Sequence, residues 1–347
     1  MCGIGGFFLS SDLFLEKSAL KNILKKIEHR GPDDQGLYED NNSRIGLVHT
    51  RLAIQDPSFL GHQPMLSKDK NIILVFNGEI YNFNSLRNEL ISRGVNFNSK
   101  SDTEVLLNLY LLEGKKMLSR LNGIFAFAIW DKRDQSLFIA RDNFGVKPLY
   151  YTTLSDSFFF ASEIKALSSI LKDKSRLDFN AIQSYLTYLW CPGNQTPIKI
   201  VKKLLPGEAM IIKDAVIEDR WKWYHPKVFQ KKSQKSMSKN FAVKGTYENL
   251  RNAVIRQMVS DVPVGAFLSG GLDSSAIVSL ASEQNRDIKC FTIEVEGNND
   301  KGVVDDLSYA KKVSKYLNVS LDVVKINSSK FVNDLEFMVK TLDEPLA

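Results

Sequence analysis

The first two hundred or so residues alternate between short apolar runs and one-sided helical patterns. Leu20, Ile23, Leu24 and Ile27 follow the spacing of one helix face, and a second such face begins after Ser101. Apolar runs of strand length lie at residues 7–9, 72–76, 125–130, 137–140 and 158–161. The runs at 125–130 and 137–140 flank a polar turn and predict a hairpin. Grouped strands with helices elsewhere predict a layered α+β domain that ends near residue 205.

The last hundred or so residues have a different hydrophobic pattern, in which strands and helices alternate. Strand-like runs at 264–268, 288–295 and 319–324 alternate with helical patterns at 276–281 and 308–317. Because parallel strands need a crossover connection, this alternation predicts a parallel sheet. Ligands of such sheets bind at the carboxyl ends of the strands. The loop that follows residue 268 is therefore a candidate binding site.

The composition is typical of a soluble globular protein with about two domains. The chain has 347 residues, of which 44% are hydrophobic and 25% charged. No apolar run reaches the roughly 18 residues of a membrane span, and the N-terminus lacks a secretion signal. The cysteines, Cys2, Cys191 and Cys290, are too far apart in sequence for a disulfide framework or a zinc site. A reducing, cytoplasmic location is expected.

The net charge of +6 raises the question of nucleic-acid binding. Much of the charge comes from the stretch 227–244, where lysines alternate with Ser and Asn; those between its ends are Lys231, Lys232, Lys235 and Lys239. This composition favours a solvated linker. Aromatic residues are not interleaved with the lysines, so a nucleic-acid interface is disfavoured.

The N-terminus offers candidate chemistry. If Met1 is removed, Cys2 carries both a thiol and a free α-amino group. The reference pKa values are about 8.5 for the thiol and about 7.7–8.0 for the amine, so one residue can supply both nucleophile and base near neutral pH. Gly3, which follows, allows a substrate to lie against the backbone.

Several polar positions beside the apolar runs have two interpretations each. Arg51 is either an ion-pair residue or a fork for a substrate carboxylate. Asn77 and Gly78 either form a turn or aim an amide and an N–H at an oxyanion. Asp102 either caps a helix or binds a substrate ammonium. His29 has no partners at metal-ligand spacing, so no metal site is predicted there.

The loop after residue 268 is rich in glycine and serine. Residues 269–275 read SGGLDSS and separate a predicted strand from a predicted helix. Backbone N–H groups at a helix N-terminus favour phosphate, and Ser269, Ser274 and Ser275 can donate further hydrogen bonds. The spacing and lysine of a Walker A loop are absent. Asp273 suits a Mg²⁺ ion held between a carboxylate and phosphate oxygens.

Taken together, the two halves resemble the glutamine-dependent asparagine synthetase family. In the first half the matching segments are 2–6 (CGIGG), 29–33 (HRGPD), 51–52 (RL), 76–82 (FNGEIYN), 101–104 (SDTE), 140–142 (ARD), 144–145 (FG) and 147–151 (KPLYY). In the second half they are 261–265 (DVPVG) and the loop 269–274 (SGGLDS). The resemblance implies an αββα N-terminal-nucleophile sandwich, followed by an incomplete α/β parallel-sheet domain of the adenine-nucleotide α-hydrolase type.

For the first half, the resemblance implies a class II glutamine amidotransferase domain at residues 2–207. Cys2 would attack the glutamine side-chain amide, and Asn77 and Gly78 would form the oxyanion hole. Arg51 would hold the α-carboxylate of glutamine. Asp102, together with Glu79, would hold its α-ammonium.

For the second half, the resemblance implies a connector at 208–245 and the N-terminal part of an ATP-dependent synthetase domain at 246–347. ATP would activate aspartate as an acyl-adenylate, and ammonia from glutamine would convert it to asparagine. The residues that match the ATP site are Leu268, Ser269, Gly270, Gly271, Asp273, Ser274 and Ile293, with Asp273 as the Mg²⁺ ligand. The expected partners are glutamine, aspartate and ATP, without nucleic acid or membrane, and a homodimer is the candidate assembly.

Members of this family continue past the last residue of this sequence, and a second pyrophosphate-contacting loop is absent from it. A truncated gene, a split protein or a chain shortened for expression would each explain this, and glutamine hydrolysis without complete asparagine synthesis is the resulting expectation. An incompletely covered parallel sheet would also leave apolar surface for association.

Two other functions remain open. One is an amidotransferase of the same plan that acts on another carboxylate, such as a sugar acid, or closes a β-lactam-type ring. The other is a non-catalytic fragment that binds a nucleotide or a partner. Ammonia release from glutamine, lost in Cys2→Ala, distinguishes an enzyme from such a fragment.

Overall fold

The computed structural model of the chain describes residues 1–11, 18–171, 176–226, 237–295 and 306–344. Contacts divide the chain into unit 1, Met1–Lys227 with Leu342–Ala347, and unit 2, Val228–Thr341. Part of the predicted basic linker, Lys231, Lys232 and Lys235, lies outside the described residues. None of the helices in the described ranges has the length and apolar character needed to cross a membrane.

Unit 1 is built from short strands and helices. Its strands are β1 (Gly3–Phe8), β2 (Asp34–Asp40), β3 (Ile45–Arg51), β4 (Met65–Leu66), β5 (Ile72–Ile80), β6 (Gly123–Asp131), β7 (Ser136–Arg141), β8 (Tyr150–Leu154), β9 (Ser157–Ala161), β10 (Lys202–Lys203), β11 (Glu208–Lys213) and β12 (Val216–Lys222). Its helices are α1 (Ala19–Ile27), α2 (Phe83–Ser92), α3 (Asp102–Glu113), α4 (Ile164–Leu171) and α5 (Phe179–Tyr188). Short 3₁₀ turns occupy Glu28–Arg30, Phe59–Gly61 and Gly114–Arg120.

The strands of unit 1 form two six-stranded sheets. The first has the order β10-β8-β9-β1-β3-β2 and the second β12-β11-β7-β6-β5-β4. All their strand pairs are antiparallel. β1 lies inside the first sheet, between β9 and β3, so the residue before it is held close to two neighbouring strands.

Both faces of each sheet are covered, which explains why the strands read as continuous apolar runs. Along β6, Ala126, Ala128 and Trp130 join the core between the sheets, whereas Phe125 and Phe127 join a core with α2 and α3. This is the alternation of side chains along a strand. On the outer face of the first sheet, α1 and α4 close a third core. The predicted αββα sandwich is confirmed.

The second sheet continues past the segment Leu205-Pro206-Gly207, at which the sequence predicts the end of the first domain. β11 pairs with β7 from Ala209 to Lys213, and β12 pairs with β11. Here the structure differs from the prediction, since residues assigned to a connector are strands of the sandwich. Pro206 and Gly207 form a turn within unit 1, where the Gly207 N–H donates to the Asp142 carbonyl at 2.8 Å.

Unit 2 has a small parallel sheet. Its strands are β13 (Gly265–Phe267), β14 (Lys289–Val295) and β15 (Ser320–Ile326), in that order, and its helices are α6 (Lys239–Gln257), α7 (Leu272–Gln284), α8 (Asp306–Leu317) and α9 (Ser328–Leu342). The strands are parallel, as the alternation of strands and helices predicts. Leu268, Val278 and Cys290 are in its core. Large apolar side chains such as Phe267, 82% exposed, lie at its surface.

The residues that follow α9 contribute to unit 1. The Asp343 carboxylate accepts hydrogen bonds from the backbone N–H groups of Ile164 and Lys165, the first residues of α4. Glu344 forms an ion pair of 2.7 Å with Lys203 and accepts a hydrogen bond from the Tyr150 hydroxyl. Chain segments nearly 180 residues apart therefore meet in one unit.

Candidate active site

Cys2 is held at the start of β1 by hydrogen bonds from two directions. The Leu52 N–H lies 3.4 Å from the thiol sulfur, which also faces the Leu52 carbonyl at 3.7 Å. Arg30 Nε donates to the Cys2 carbonyl at 2.9 Å, and Arg30 Nη1 donates to Glu163 at 2.7 Å. Burial raises the pKa of the Cys2 thiol, while Leu52 and nearby positive charges act in the opposite direction.

One pocket of unit 1 brings the predicted glutamine residues together. Its lining includes all of those named from the sequence, which are Cys2, Arg51, Asn77, Gly78, Glu79 and Asp102. They come from the starts or ends of β1, β3, β5 and α3, which the sandwich brings to one edge. The sequence separates them by up to a hundred positions, so the fold itself assembles the site.

Asn77 and Gly78 lie within β5, so the interpretation as a turn is excluded. They pair with Ala126 and Phe125 of β6. A Cβ atom at Gly78 would collide with the Ile124 carbonyl and approach the Phe125 Cα to 2.7 Å, so glycine is required there. The Asn77 side chain is fully buried, and neither its Oδ1 nor its Nδ2 has a hydrogen-bond partner among the described residues. Buried amides are normally paired.

Arg51 ends β3 and holds the loop that follows. Its Nη1 donates to the Ser58 carbonyl at 2.9 Å, and its Nη2 donates to the carbonyls of Gln55 and Asp56. Gly61 lies against the guanidinium, where a Cβ atom would collide with it. A guanidinium has five N–H donors, so this loop leaves some of them for a ligand.

The carboxyl groups of Asp102 and Glu79 line the pocket. Asp102 begins α3 but does not cap it, since Ser101 is the N-cap and accepts a hydrogen bond from the Glu104 N–H. Asp102 instead accepts from the Ile80 N–H at 2.9 Å. Burial raises its pKa to about 7, with a further contribution from Glu79, and burial also raises the pKa of Glu79.

The pocket also contains Lys147, to which sequence reasoning assigned no role. The residue is only 8% exposed, and burial lowers the pKa of its ammonium. The available signal was a lysine between the apolar residues Val146 and Leu149 in a segment that already matched the family. A second unassigned residue, Gln63, lines the pocket and accepts a hydrogen bond from the Phe76 N–H at 2.6 Å.

His29 lies outside this pocket. Its Nε2 is 3.0 Å from Glu163, the same carboxylate that binds Arg30. Within the described ranges, no cluster of His, Cys, Asp and Glu has the arrangement of a metal site.

The glycine-rich loop of unit 2 joins β13 to α7. Gly271 is the N-cap of α7 without a side-chain cap, and its N–H donates to the Ser269 hydroxyl at 3.3 Å. Gly270 has a φ of +81°, and a Cβ atom there would lie 2.5 Å from backbone atoms of Tyr309 and Ala310. The loop therefore needs glycine at this position.

The other residues matched to ATP surround this loop. Leu268 is buried beneath it, Asp273 is exposed in the first turn of α7, and Ser274 lies 3.0 Å from the Ser269 hydroxyl. Ile293 is in the adjacent strand β14 and is 52% exposed. The buried hydroxyl of Ser275 has no hydrogen-bond partner in the described part of the chain.

Comparisons with known proteins agree with this geometry. A family model for a glutamine amidotransferase domain matches residues 1–224, and one for asparagine synthase matches residues 245–347. Asparagine synthetase (glutamine-hydrolyzing) 1 of Bacillus subtilis is 38% identical, covering 100% of this chain and 54% of that protein. Asparagine synthetase (glutamine-hydrolyzing) 3 of the same organism is 35% identical, covering 99% and 57%. Amidase chry2 of Gibberella zeae is 30% identical, covering 97% and 52%.

The chain thus spans about half the length of the curated relatives it matches. The amidotransferase match includes every residue of the pocket around Cys2, and the second match includes the glycine-rich loop. The family resemblance of the sequence is confirmed. This chain belongs to the asparagine synthase family, with its glutamine amidotransferase domain and part of its synthase domain.

Proposed function

We propose that unit 1 hydrolyses glutamine to glutamate and ammonia, with Cys2 as nucleophile once Met1 is removed. The observation that carries the proposal is the buried Asn77 amide, unpartnered among the described residues, in the same pocket as the Cys2 thiol. An amide left without partners in a protein interior costs free energy. A ligand oxygen that accepts from Asn77 Nδ2 would remove that cost, as an oxyanion hole requires.

The reaction follows from these positions. The Cys2 sulfur attacks the carboxamide carbon of glutamine, and the thiol proton passes to the α-amine of Cys2. Asn77 and the Gly78 N–H stabilise the oxygen that becomes negative. The amine returns the proton to the departing nitrogen, which leaves as ammonia, and a thioester remains. Water then hydrolyses the thioester to release glutamate and restore the thiol.

Substrate orientation depends on the charged residues of the pocket. Burial raises the pKa values of Asp102 and Glu79, although Lys147 acts in the opposite direction on Glu79. The α-ammonium of glutamine would add a positive charge beside these two carboxyl groups. The donors of Arg51 that the 55–58 loop does not use would bind the α-carboxylate.

For unit 2, we propose the nucleotide site of an ATP-dependent amidation of aspartate to asparagine; several curated relatives are named asparagine synthetases. The N-terminus of α7 and the Ser275 hydroxyl, which lacks a partner among the described residues, suit a phosphate group. Asp273, exposed in the first turn, would hold Mg²⁺, which neutralises phosphate charge when bound. Leu268, Ser269, Gly270, Gly271, Ser274 and Ile293 would complete the site.

The curated relatives carry two kinds of name, asparagine synthetase and amidase. Amidases of two fungi are about as similar to this chain as several asparagine synthetases, at 30% and 31% identity. A carboxylate other than aspartate is therefore the second candidate. Comparing AMP release with aspartate and with other carboxylates, such as sugar acids, distinguishes the two.

Ammonia release from glutamine tests the proposal for unit 1. Intact-mass spectrometry first establishes that the purified chain begins at Cys2. Cys2→Ala is expected to lower the rate about a thousandfold or more, because the nucleophile is lost. Cys191→Ala is the control, since that thiol is buried elsewhere in unit 1. Full activity in a chain that keeps Met1 would contradict the proposed chemistry.

A second pair of variants tests the oxyanion hole. Asn77→Ala should lower kcat by about 10²–10³-fold with little loss of stability, because its amide makes no hydrogen bond within the described chain. The control is Asn82→Ala. Asn82 bonds to Arg120 and Asn122, at 2.9 and 3.0 Å, so this variant should lose stability but keep its activity. Unchanged kcat in Asn77→Ala would refute its role.

A further inference from the structure

Lys147 is a buried cation that forms no ion pair within the described residues, and the carboxyl group that acts on it most strongly is that of Glu79. Its side chain lines the Cys2 pocket and is 8% exposed. In the described ranges its Nζ has neither a hydrogen-bond acceptor nor a carboxylate within ion-pair distance. By contrast, Lys165 and Lys203 of the same unit each form an ion pair with a glutamate. Burying an unpaired ammonium costs free energy, so its presence in the pocket calls for an explanation.

The backbone around Lys147 is fixed by two charged side chains. Asp142 accepts hydrogen bonds from the N–H groups of Phe144, Val146 and Lys147, each at 3.0 Å. Arg141 donates to the carbonyls of Gly145 and Lys147, at 2.6 and 2.7 Å. Both the N–H and the carbonyl of Lys147 are therefore held. This loop sets the direction in which the side chain leaves the backbone.

Charges of both signs surround the thiol and the terminal amine. The cations are Lys147, Arg30 and Arg51, and the acids are Asp33, Glu79 and Asp102. Arg30 and Arg51 are engaged with Glu163, the Cys2 carbonyl and the carbonyls of residues 55–58. Of these three cations, Lys147 is the one whose charged group has no partner within the described residues.

We propose that Lys147 is a positioning residue of the glutaminase site, whose fixed positive charge favours loss of the proton from the Cys2 thiol and keeps the adjacent terminal amine free to accept it. This proposal rests on the glutaminase function proposed for unit 1. A nearby cation favours the deprotonated form of both groups, because it stabilises a thiolate and repels an ammonium.

The charge balance around Cys2 supports this role. Burial raises the pKa of the thiol most and Asp102 acts in the same direction, whereas the Leu52 backbone, the terminal amine and Lys147 lower it. Burial lowers the pKa of the Met1 amine, and Arg30 and Lys147 act in the same direction. Removal of Met1 would free the amine of Cys2, which lies next to the same cations. Lys147 thus acts against the effect of burial on the pKa of the thiol and adds to the effect of burial on the pKa of the amine.

Alkylation of Cys2 tests the proposal without a requirement for turnover. Wild type and the variants Lys147→Met and Lys147→Arg, each verified to begin at Cys2, are treated with iodoacetamide across a pH series. Labelling of the Cys2 peptide is measured by mass spectrometry, with the buried Cys191 and Cys290 as internal controls. The pH midpoint should rise by about one unit in Lys147→Met, a typical effect of removing a neighbouring charge. Lys147→Arg should keep the wild-type midpoint.

If the role of Lys147 were only structural, the two measurements would give the opposite result. Lys147→Met would then change the thermal unfolding midpoint and leave the alkylation midpoint unchanged, which overturns the proposal. If Lys147→Met does not unfold cooperatively, Lys147→Gln, which is neutral but polar, provides the same comparison. The acid limb of kcat/KM for glutamine should move to higher pH in the neutral variants.

The two proposals can fail separately. A shifted alkylation midpoint in a chain that releases no ammonia would refute the glutaminase function and keep the electrostatic role of Lys147. Normal ammonia release with the same midpoint in wild type and Lys147→Met would refute the role of Lys147 alone.

Discussion

Asp102 combines burial, a charge and a position at the pocket. It is 5% exposed, and burial raises its pKa to about 7. The native state therefore keeps a proton on Asp102 up to about pH 7, whereas an unfolded chain loses it near pH 4. Between these values the native state binds more protons than the unfolded state. The free energy of unfolding consequently falls as the pH rises through this range.

Asp102→Asn should remove that dependence, because a carboxamide does not ionise. Relative to wild type, we expect the variant to gain up to about 4 kcal/mol of unfolding free energy between pH 4 and pH 8. Urea unfolding at several pH values measures it. Asp334→Asn, at an exposed position of α9, is the control and should parallel wild type. The same pH slope in Asp102→Asn and wild type would contradict the assignment.

Single residues of the site could be predicted only in part from the sequence. Cys2, Asn77 and Asp102 carry chemistry that their residue types and neighbours suggest. The carbonyl partners of Arg51 were not foreseeable, since they depend on how the 55–58 loop folds back. A lysine is normally solvated, so the apolar neighbours Val146 and Leu149 are a weak sign of the burial that the structure shows at Lys147.

At the scale of elements, β5 shows how tightly the site backbone is packed. Gly78→Ala would place a Cβ atom against the Ile124 carbonyl, so β5 and β6 would have to separate locally. We expect a loss of about 1–3 kcal/mol in unfolding free energy and of most glutaminase activity. Chemical unfolding and ammonia release are the measurements.

A glycine in a helix provides the matched comparison. Gly245 lies within α6, where an added Cβ atom would meet nothing within 4 Å. Gly245→Ala should therefore stabilise unit 2 by about 0.5–1 kcal/mol, since alanine loses less backbone entropy in a helix. Equal effects of the two substitutions would show that local packing does not distinguish the sites.

The elements were predictable where one periodicity dominates. Apolar runs and helical spacing anticipated β5, β6, β7, α1 and the alternating elements of unit 2. Asn77 and Gly78 stayed ambiguous because a turn and a strand differ there only through pairing with β6. The extension by β11 and β12 was missed for the same reason, since their pairing with β7 is a contact between distant segments.

Over the whole molecule, unit 1 is completed by residues from the far end of the chain. Asp343 supplies the side-chain oxygens for the first N–H groups of α4, which would otherwise be unpaired. Glu344 and Lys203 form an ion pair in which each side chain is only 13% exposed. No local pattern in the sequence announces this contact, because its partners lie nearly 180 residues apart.

Asp343→Ala should therefore loosen α4, although its own sequence is unchanged. The loss of a helix cap typically costs about 0.5–2 kcal/mol, and the freed N–H groups of Ile164 and Lys165 should exchange with solvent faster. Hydrogen exchange of unit 1 measures the loss of stability and the faster exchange of these two N–H groups. Asp334→Ala, which removes an exposed carboxylate from α9, should leave the exchange of α4 as in wild type. If Asp343→Ala also left it unchanged, the terminal residues would not contribute to the stability of unit 1.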